Sequence, residues 1–213
     1  TLSAWVAFPI AFFNISYSYL PSHEAQHDIY ARPGDKLRWL NELIGHASVI
    51  PLVSSYRVLK MTHLEHHKHT NNPDLDPDYD THAPSALAAL WKALKARNPK
   101  SEFLDSYEKT LDRLDQEQAG LARRDGIFIN LCYLAVLFAM AATGHALEAF
   151  LLWVLPLVLA LVYIRFFLAW APHHPGHETG RYHDTRAFKS LFGVIGTMGM
   201  TVHIVHHLHP RIP

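Results

Sequence analysis

Cysteine is nearly absent. Cys132 stands alone among 213 residues, inside an apolar run. One thiol excludes a disulfide framework and any zinc or iron–sulfur site built on cysteine. Net charge is absent too, because nineteen Lys and Arg cancel nineteen Asp and Glu. No global field points to nucleic acid, and none is expected as a partner. The sequence shows no repeat of solenoid period and no low-complexity tract. Its length suits a single domain, residues 1–213, with a real core. It opens at Thr1 without a Met and stops at Pro213 just after a histidine cluster, so both ends are expected to be incomplete.

Charge is also missing locally. Residues 1–20, 127–143 and 147–170 form three apolar runs, the last with Arg165 near its end. Each approaches the roughly 20 residues a helix needs to cross a bilayer. Only Gly144-His145-Ala146 separates the last two, which predicts a tight hairpin. Three such runs are hard to cover with the remaining polar chain, so buried helices of a soluble protein are the weaker reading. Fourteen of the nineteen Lys and Arg fall between residues 21 and 126, and four more follow residue 170. The positive-inside rule then places residues 21–126 and 171–213 in the cytoplasm, with 57–126 and 171–213 as the cytoplasmic cap.

Residues 37–56 are moderately apolar but contain Asn41, Glu42, His46 and Pro51. If they crossed, the histidines on either side would be parted by about 30 Å of hydrocarbon. They are read as interfacial or re-entrant helix. Residues 71–126 are polar, starting with an acidic turn-rich stretch. A helix is expected over 85–96, with Ser85 as N-cap and Leu87, Leu90, Trp91 and Leu94 on one face that packs against the domain. Another is expected over 101–124, using Phe103, Leu104, Tyr107, Leu111 and Leu114. The predicted fold is all-α: an integral membrane helical bundle with a cytoplasmic helical cap carrying a histidine-rich di-metal site.

Histidine is what the chain has in excess, with seventeen. Residues 23–27 read H-E-x-x-H, the zinc metalloprotease signature, with Glu24 as its general base. Two further clusters compete with that reading. "HLEHH" supplies His63, His66 and His67, and "HIVHH" supplies His203, His206 and His207. Spacings of three and four put rings on one helix face about a turn apart. A lone histidine is usually surface or core filling. The same spacing occurring twice, beside His23 and His27 and on one predicted side, points to metal. A zinc protease would leave six of these imidazoles without a role, whereas eight suffice for two metals. Imidazole suits zinc, copper, iron and nickel alike, so ligand type does not choose the ion.

H-x-x-x-H, then H-x-x-H-H, then H-x-x-H-H after a helical hairpin resembles the membrane-bound fatty acid desaturase superfamily. Its carotenoid hydroxylase and ketolase branch is favoured by "PHHPG", "RYHDTRAF" and "HHLHPRIP". The resemblance implies two iron ions at the cytoplasmic membrane surface, O2 as co-substrate, and oxidation of an unactivated C–H bond in a fatty acyl chain or carotenoid. It also implies electrons from a small protein of ferredoxin, rubredoxin or cytochrome b5 type. It adds a further ligand after the last span, for which His173 fits best. The expected ligands are then His23, His27, His63, His66, His67, His173, His203, His206 and His207. His69, His174, His177 and His209 are expected to support them from behind, and His183 similarly. Asp28, Glu65, Asp74, Asp76 and Asp78 are candidates to hydrogen-bond ligand rings. His46, His82 and His145 are read as structural. Desaturation, hydroxylation and ketolation remain open, and a membrane zinc protease is the alternative. The stretch 191–200 is read as a close-approach surface for a chain or as an interfacial anchor.

Overall fold

The two longest helices are those that carry long apolar runs. The computed structural model describes residues 3–96 and 102–212, with side chains of the second stretch from Leu104 onward. Residues 1 and 2 of the first expected span, residue 101 and the Phe103 side chain lie outside the described residues. Every regular element among the described residues is helical. α1 (Ala4–Tyr17) and α2 (Tyr19–Gln26) are separated only by Ser18. α3 (Arg38–Ser48), α4 (Tyr56–His69), α5 (Ala86–Lys95) and α6 (Glu102–Arg113) follow. α7 (Gln116–Ala142) and α8 (Ala146–His173) are each long and apolar enough to cross a membrane. α9 (His203–Leu208) closes the order.

The helix expected over 101–124 is in fact two. α6 stops at Arg113, and the Asp115 carboxylate accepts the Gln118 N–H at 2.8 Å to cap the next helix. α7 therefore starts eleven residues before the apolar run begins, and its polar first turns extend toward the polar part of the molecule. At 1.5 Å per residue its 27 residues reach about 40 Å. Its outer surface shows Phe128, Leu131, Leu134 and Phe138 all more than half exposed. Contiguous bare apolar area of this kind is stable only against an apolar surrounding.

α8 is not a uniform α-helix. It widens to π geometry over Phe150–Val154 and again over Arg165–Trp170. Both segments have a proline just beyond them, Pro156 and Pro172. A proline lacks the N–H that would pair four residues back and its ring crowds that carbonyl, at Leu152 and Leu168 here. The wider turn absorbs both defects. Between them the straight stretch packs on α1 through Ile15, Leu157 and Ala160, with Leu52 from the turn after α3. The Trp153 indole N–H donates to the Pro51 carbonyl at 2.9 Å. Arg165 reaches out of this helix to Asp80 at 2.7 Å, a pair almost sealed from solvent.

α3 is eleven residues, about 16 Å long, too short to cross. The chain turns back over 49–55 into α4, with Val53 at φ 53°. α3 buries Asn41 and Gly45 and leaves Leu37, Trp39 and Leu43 exposed. A Cβ at Gly45 would overlap the Tyr56 ring, so only glycine lets the two elements close up.

For α5 the expected packing is reversed. Ser85 caps it by accepting the Ala88 N–H at 3.3 Å. Ala89 and Ala93 are the buried face, while Leu87, Trp91 and Leu94 point away, Leu87 at 80% exposure. Small residues allow close approach to α8, and the large ones face outward as they do on α7. Residues 191–200 form turns with Leu191, Phe192, Val194 and Ile195 exposed. They are tied to the bundle by the Tyr17 and Tyr163 hydroxyls, which donate to the carbonyls of Ile195 and Gly196.

Candidate metal centre

Four separate elements each end at one place. α2 brings His23 and His27, α4 brings His63, His66 and His67, the last turn of α8 brings His173, and α9 with its preceding turn brings His203, His206 and His207. The α2 end is fixed from behind. The Tyr56 hydroxyl and the Asn41 amide both donate to the Ala25 carbonyl, each at 2.9 Å. Tyr56 and Asn41 are buried, so these bonds face no competition from water. α4 is started by Ser55, whose side chain accepts the Val58 N–H. The second π segment and Pro172 set the angle at which His173 leaves α8.

The rings converge in two groups. His23, His27, His63 and His206 have donor atoms within 4.8 Å of one another, and so do His66, His173 and His207. His67 and His203 lie between and beside them. The His67 ring is 4.8 Å from His206 and 4.2 Å from His207, and His203 is 4.7 Å from His207. All nine predicted residues thus meet in one cluster.

Nitrogen faces nitrogen within it. His27 Nε2 is 2.9 Å from His63 Nε2, and His67 Nε2 is 3.1 Å from both His63 Nε2 and His206 Nε2. Each neutral ring carries one bare nitrogen, and these contacts among four rings bring such nitrogens to one place where a cation can take them. In the second group His173 Nε2 and His207 Nε2 are buried without a hydrogen-bond partner, as is His203 Nδ1. Orphaned acceptors in the interior are costly unless a cation takes them. The residues present therefore fit a pair of metal ions held mainly by imidazole.

Protonation cannot resolve the crowding. Burial and then the surrounding imidazoles push His63, His203 and His207 well below their ordinary range. The same causes lower His27 to about 3 and His206 to about 2, with Asp28 opposing at His27. These rings stay neutral at neutral pH, as metal ligands must be. His66 differs. Burial opposes its charge, but Asp76 at 2.8 Å outweighs burial and raises it to about 9.

Asp76 is the carboxylate that holds a ring most directly. Its Oδ1 pairs with His66 Nδ1, and its Oδ2 accepts the Asn71 N–H at 2.8 Å. Glu24 lies 3.3 Å from His23 Nδ1, beside the cluster. Of the other carboxylates proposed from the sequence, Asp78 stands 3.9 Å from His66 Nδ1, and Asp28, Glu65 and Asp74 lie away from the rings. Asp28 pairs with Arg38 and Lys60, and Glu65 with Lys68 and His69. Asp74 is exposed in its turn. Of the four expected supporting histidines, His69 contacts Glu65, His174 lies tilted against Trp170 with ring centroids 4.8 Å apart, and His177 and His209 are exposed. His183 is exposed beside Glu178. His82 bonds Asn71 and His46 packs on Tyr56, in structural positions.

Asp184 went unnamed in the sequence reading. Its carbonyl accepts from His173 Nδ1 at 3.2 Å and from the Asn71 amide at 2.9 Å, and its carboxylate stands 3.9 Å from His207 Nδ1. Only its place in "RYHDTRAF", next to the last cluster in space and not in sequence, marks it.

A cavity of about 250 Å³ runs up to the cluster. His23, His63, His66 and His203 close one end, and Leu52, Leu161, Ile164 and Leu168 form apolar wall contributed largely by α8.

Comparison with known proteins gives the family. The chain is 25% identical to the zeaxanthin 4-ketolase of Chlamydomonas reinhardtii, over 100% of this chain and 44% of that protein. It is 26% identical to a beta-carotene ketolase of Paracoccus sp., over 75% of this chain and 55% of that one. It is 31% identical to an sn-1 oleoyl-lipid 12-desaturase of Anabaena variabilis, over 43% and 26%. The chain thus spans about half, or less, of the length of these relatives. The family profile described as fatty acid desaturase matches residues 1–213, so the chain belongs to the fatty acid desaturase family.

Proposed function

We propose that the protein is an O2-dependent di-iron oxidoreductase that oxidises a C–H bond of an apolar lipid, with a carotenoid favoured over a fatty acyl chain. The observation that carries the reading is the meeting of nine imidazoles from four elements at the end of an apolar cavity. The carotenoid preference is supported by coverage: the two ketolases align over 100% and 75% of the chain, the Anabaena desaturase over 43%.

His23, His27, His63 and His206 would hold one ion, and His66, His173 and His207 the other, with His67 and His203 beside both. Iron bound there supplies the two-electron chemistry with O2 that an unactivated C–H bond requires. The chain's own part is to hold and to exclude. Asp76 fixes His66 through Nδ1 and the Asp184 carbonyl fixes His173 the same way, so that each ring turns Nε2 inward. Leu52, Leu161, Ile164 and Leu168 keep water away and align an extended apolar substrate. The site faces the cytoplasm, where a small electron-transfer protein of ferredoxin, rubredoxin or cytochrome b5 type delivers reducing equivalents.

The test is metal analysis of anaerobically purified protein joined to product profiling in a host that makes both carotenoids and acyl lipids. Two irons per chain and a new oxygen function or double bond are expected. A single zinc on His23 and His27, indifferent to His203→Ala, would return the protein to the protease reading.

A further inference from the structure

The two groups of rings are supported by different residues. Behind the first stand the Ala25 carbonyl, which accepts from Tyr56 and Asn41, and Glu24 beside His23. Behind the second stand Asp76 on His66 and the Asp184 carbonyl on His173. Asp76 lies in the turn after α4, and Asp184 in the connection between α8 and α9. One residue holds both of these segments.

Asn71 is buried just beyond the end of α4. Its N–H donates to Asp76 Oδ2 at 2.8 Å. Its side-chain nitrogen donates to the Asp184 carbonyl at 2.9 Å and to the Glu178 carbonyl at 2.7 Å. Its Oδ1 faces His82 Nε2 at 3.1 Å. Two carbonyls are met only by the NH2 end of an amide, so the side chain has one orientation, and His82 carries its proton on Nε2 to donate. The His82 ring is wedged against Gly176, where a Cβ would overlap it. The Asn71 backbone has φ 64°, in the left-handed region that asparagine enters more readily than most residues with a side chain. Backbone and amide thus both call for asparagine here, and both of its grips end on the second group of rings.

We propose that Asn71 is a positioning residue for the second metal group alone, acting through Asp76 and the Asp184 carbonyl, so that the two ions are supported and lost independently. This rests on the two-metal reading above and adds to it which part of the fold governs which ion.

Metal titration tests it without turnover. Metal-free protein in detergent is titrated anaerobically with iron(II), free metal is read with a chromophoric chelator, and folding is followed by circular dichroism. Wild-type protein should take up two equivalents. Asn71→Gly tolerates the backbone conformation and keeps the N–H to Asp76 but removes the amide. It should bind one equivalent as wild type does and the other about 10–100-fold more weakly. Adding His173→Ala to Asn71→Gly should leave the tight equivalent in place, whereas adding His27→Ala should remove it. His82→Ala leaves Asn71 in place but frees its Oδ1, so it should give the same selective weakening to a smaller degree. It decides the matter if the glycine variant does not fold. A folded variant that weakens both equivalents together, weakens neither, or loses the one that depends on His27 overturns the proposal and leaves the oxidoreductase reading in place. Wild-type protein that takes up fewer than two equivalents overturns the reading itself.

Discussion

At the scale of the residue, the site depends on neutral rings held in the right tautomer. Asp76→Asn keeps the shape but weakens the grip on His66 Nδ1. Loss of such a supporting carboxylate costs about 10–100-fold in metal affinity, to be read by competition with a chromophoric chelator. His207→Ala and His27→Ala remove donors outright and should each lower bound iron far more than Glu24→Gln does. Acid should unfold the metal-free protein for the same reason. His27, His63, His203, His206 and His207 sit below 6.5 when folded, while the unfolded chain titrates near 6.5. Below about pH 6.5 the unfolded state binds more protons, so the stability they confer is full above that point and is lost progressively toward about 3 and about 2. His66 acts in the opposite sense: its contribution is full below 6.5 and is lost as pH rises through about 9. The lowered rings outnumber the one raised, which gives a net loss on the acid side. Thermal midpoints of metal-free protein between about pH 8 and pH 4 should fall below about pH 6.5, and a flat profile contradicts the account.

Elements position these residues through a few contacts that leave no slack. Gly45 lets α3 lie on Tyr56, and Tyr56 in turn holds the carbonyl between His23 and His27. Gly45→Ala forces a methyl into that ring, a clash worth about 1–3 kcal/mol. It should lower the thermal midpoint and the iron content together, whereas Gly34→Ala, with nothing near its Cβ, should cost only the strain of its φ of 93°. The Arg165–Asp80 pair ties α8 to the turn that carries Asp78. Removing one partner strands a buried charge, at a cost of about 3–5 kcal/mol. Asp80→Leu and Arg165→Leu should each destabilise more than the two together, and a double-mutant cycle on thermal unfolding in detergent measures it. Additive losses would mean the pair is not coupled.

The whole molecule is ordered by the bilayer. The bare apolar surfaces of α1, α5 and α7 and of residues 191–195 need hydrocarbon, and the histidines gather at the opposite end of α8 from the His145 turn. With Cys132 replaced by Ala, Lys68→Cys and His145→Cys should label from opposite sides with a membrane-impermeant maleimide. Lys68→Cys should react from the cytoplasmic side. Labelling of both from one side would refute the orientation.

The sequence by itself marked the nine histidines that the fold brings into one cluster. Histidine spacing on short helices is a local property, and so are the apolar runs and the Ser85 cap, because each depends only on neighbours along the chain. It misjudged the outward face of α5, since an apolar stripe reads the same whether it meets protein or lipid. It ran α6 into α7, because the Asp115 cap interrupts an otherwise continuous helical pattern. Only the tertiary structure decided that Asp76 and the Asp184 carbonyl, and not Asp28 or Glu65, stand behind the rings. It alone placed Asp78 in the cavity wall beside Tyr107, 29 residues away. A hydrogen bond between distant residues depends on how helices cross, and spacing along the chain does not record that angle.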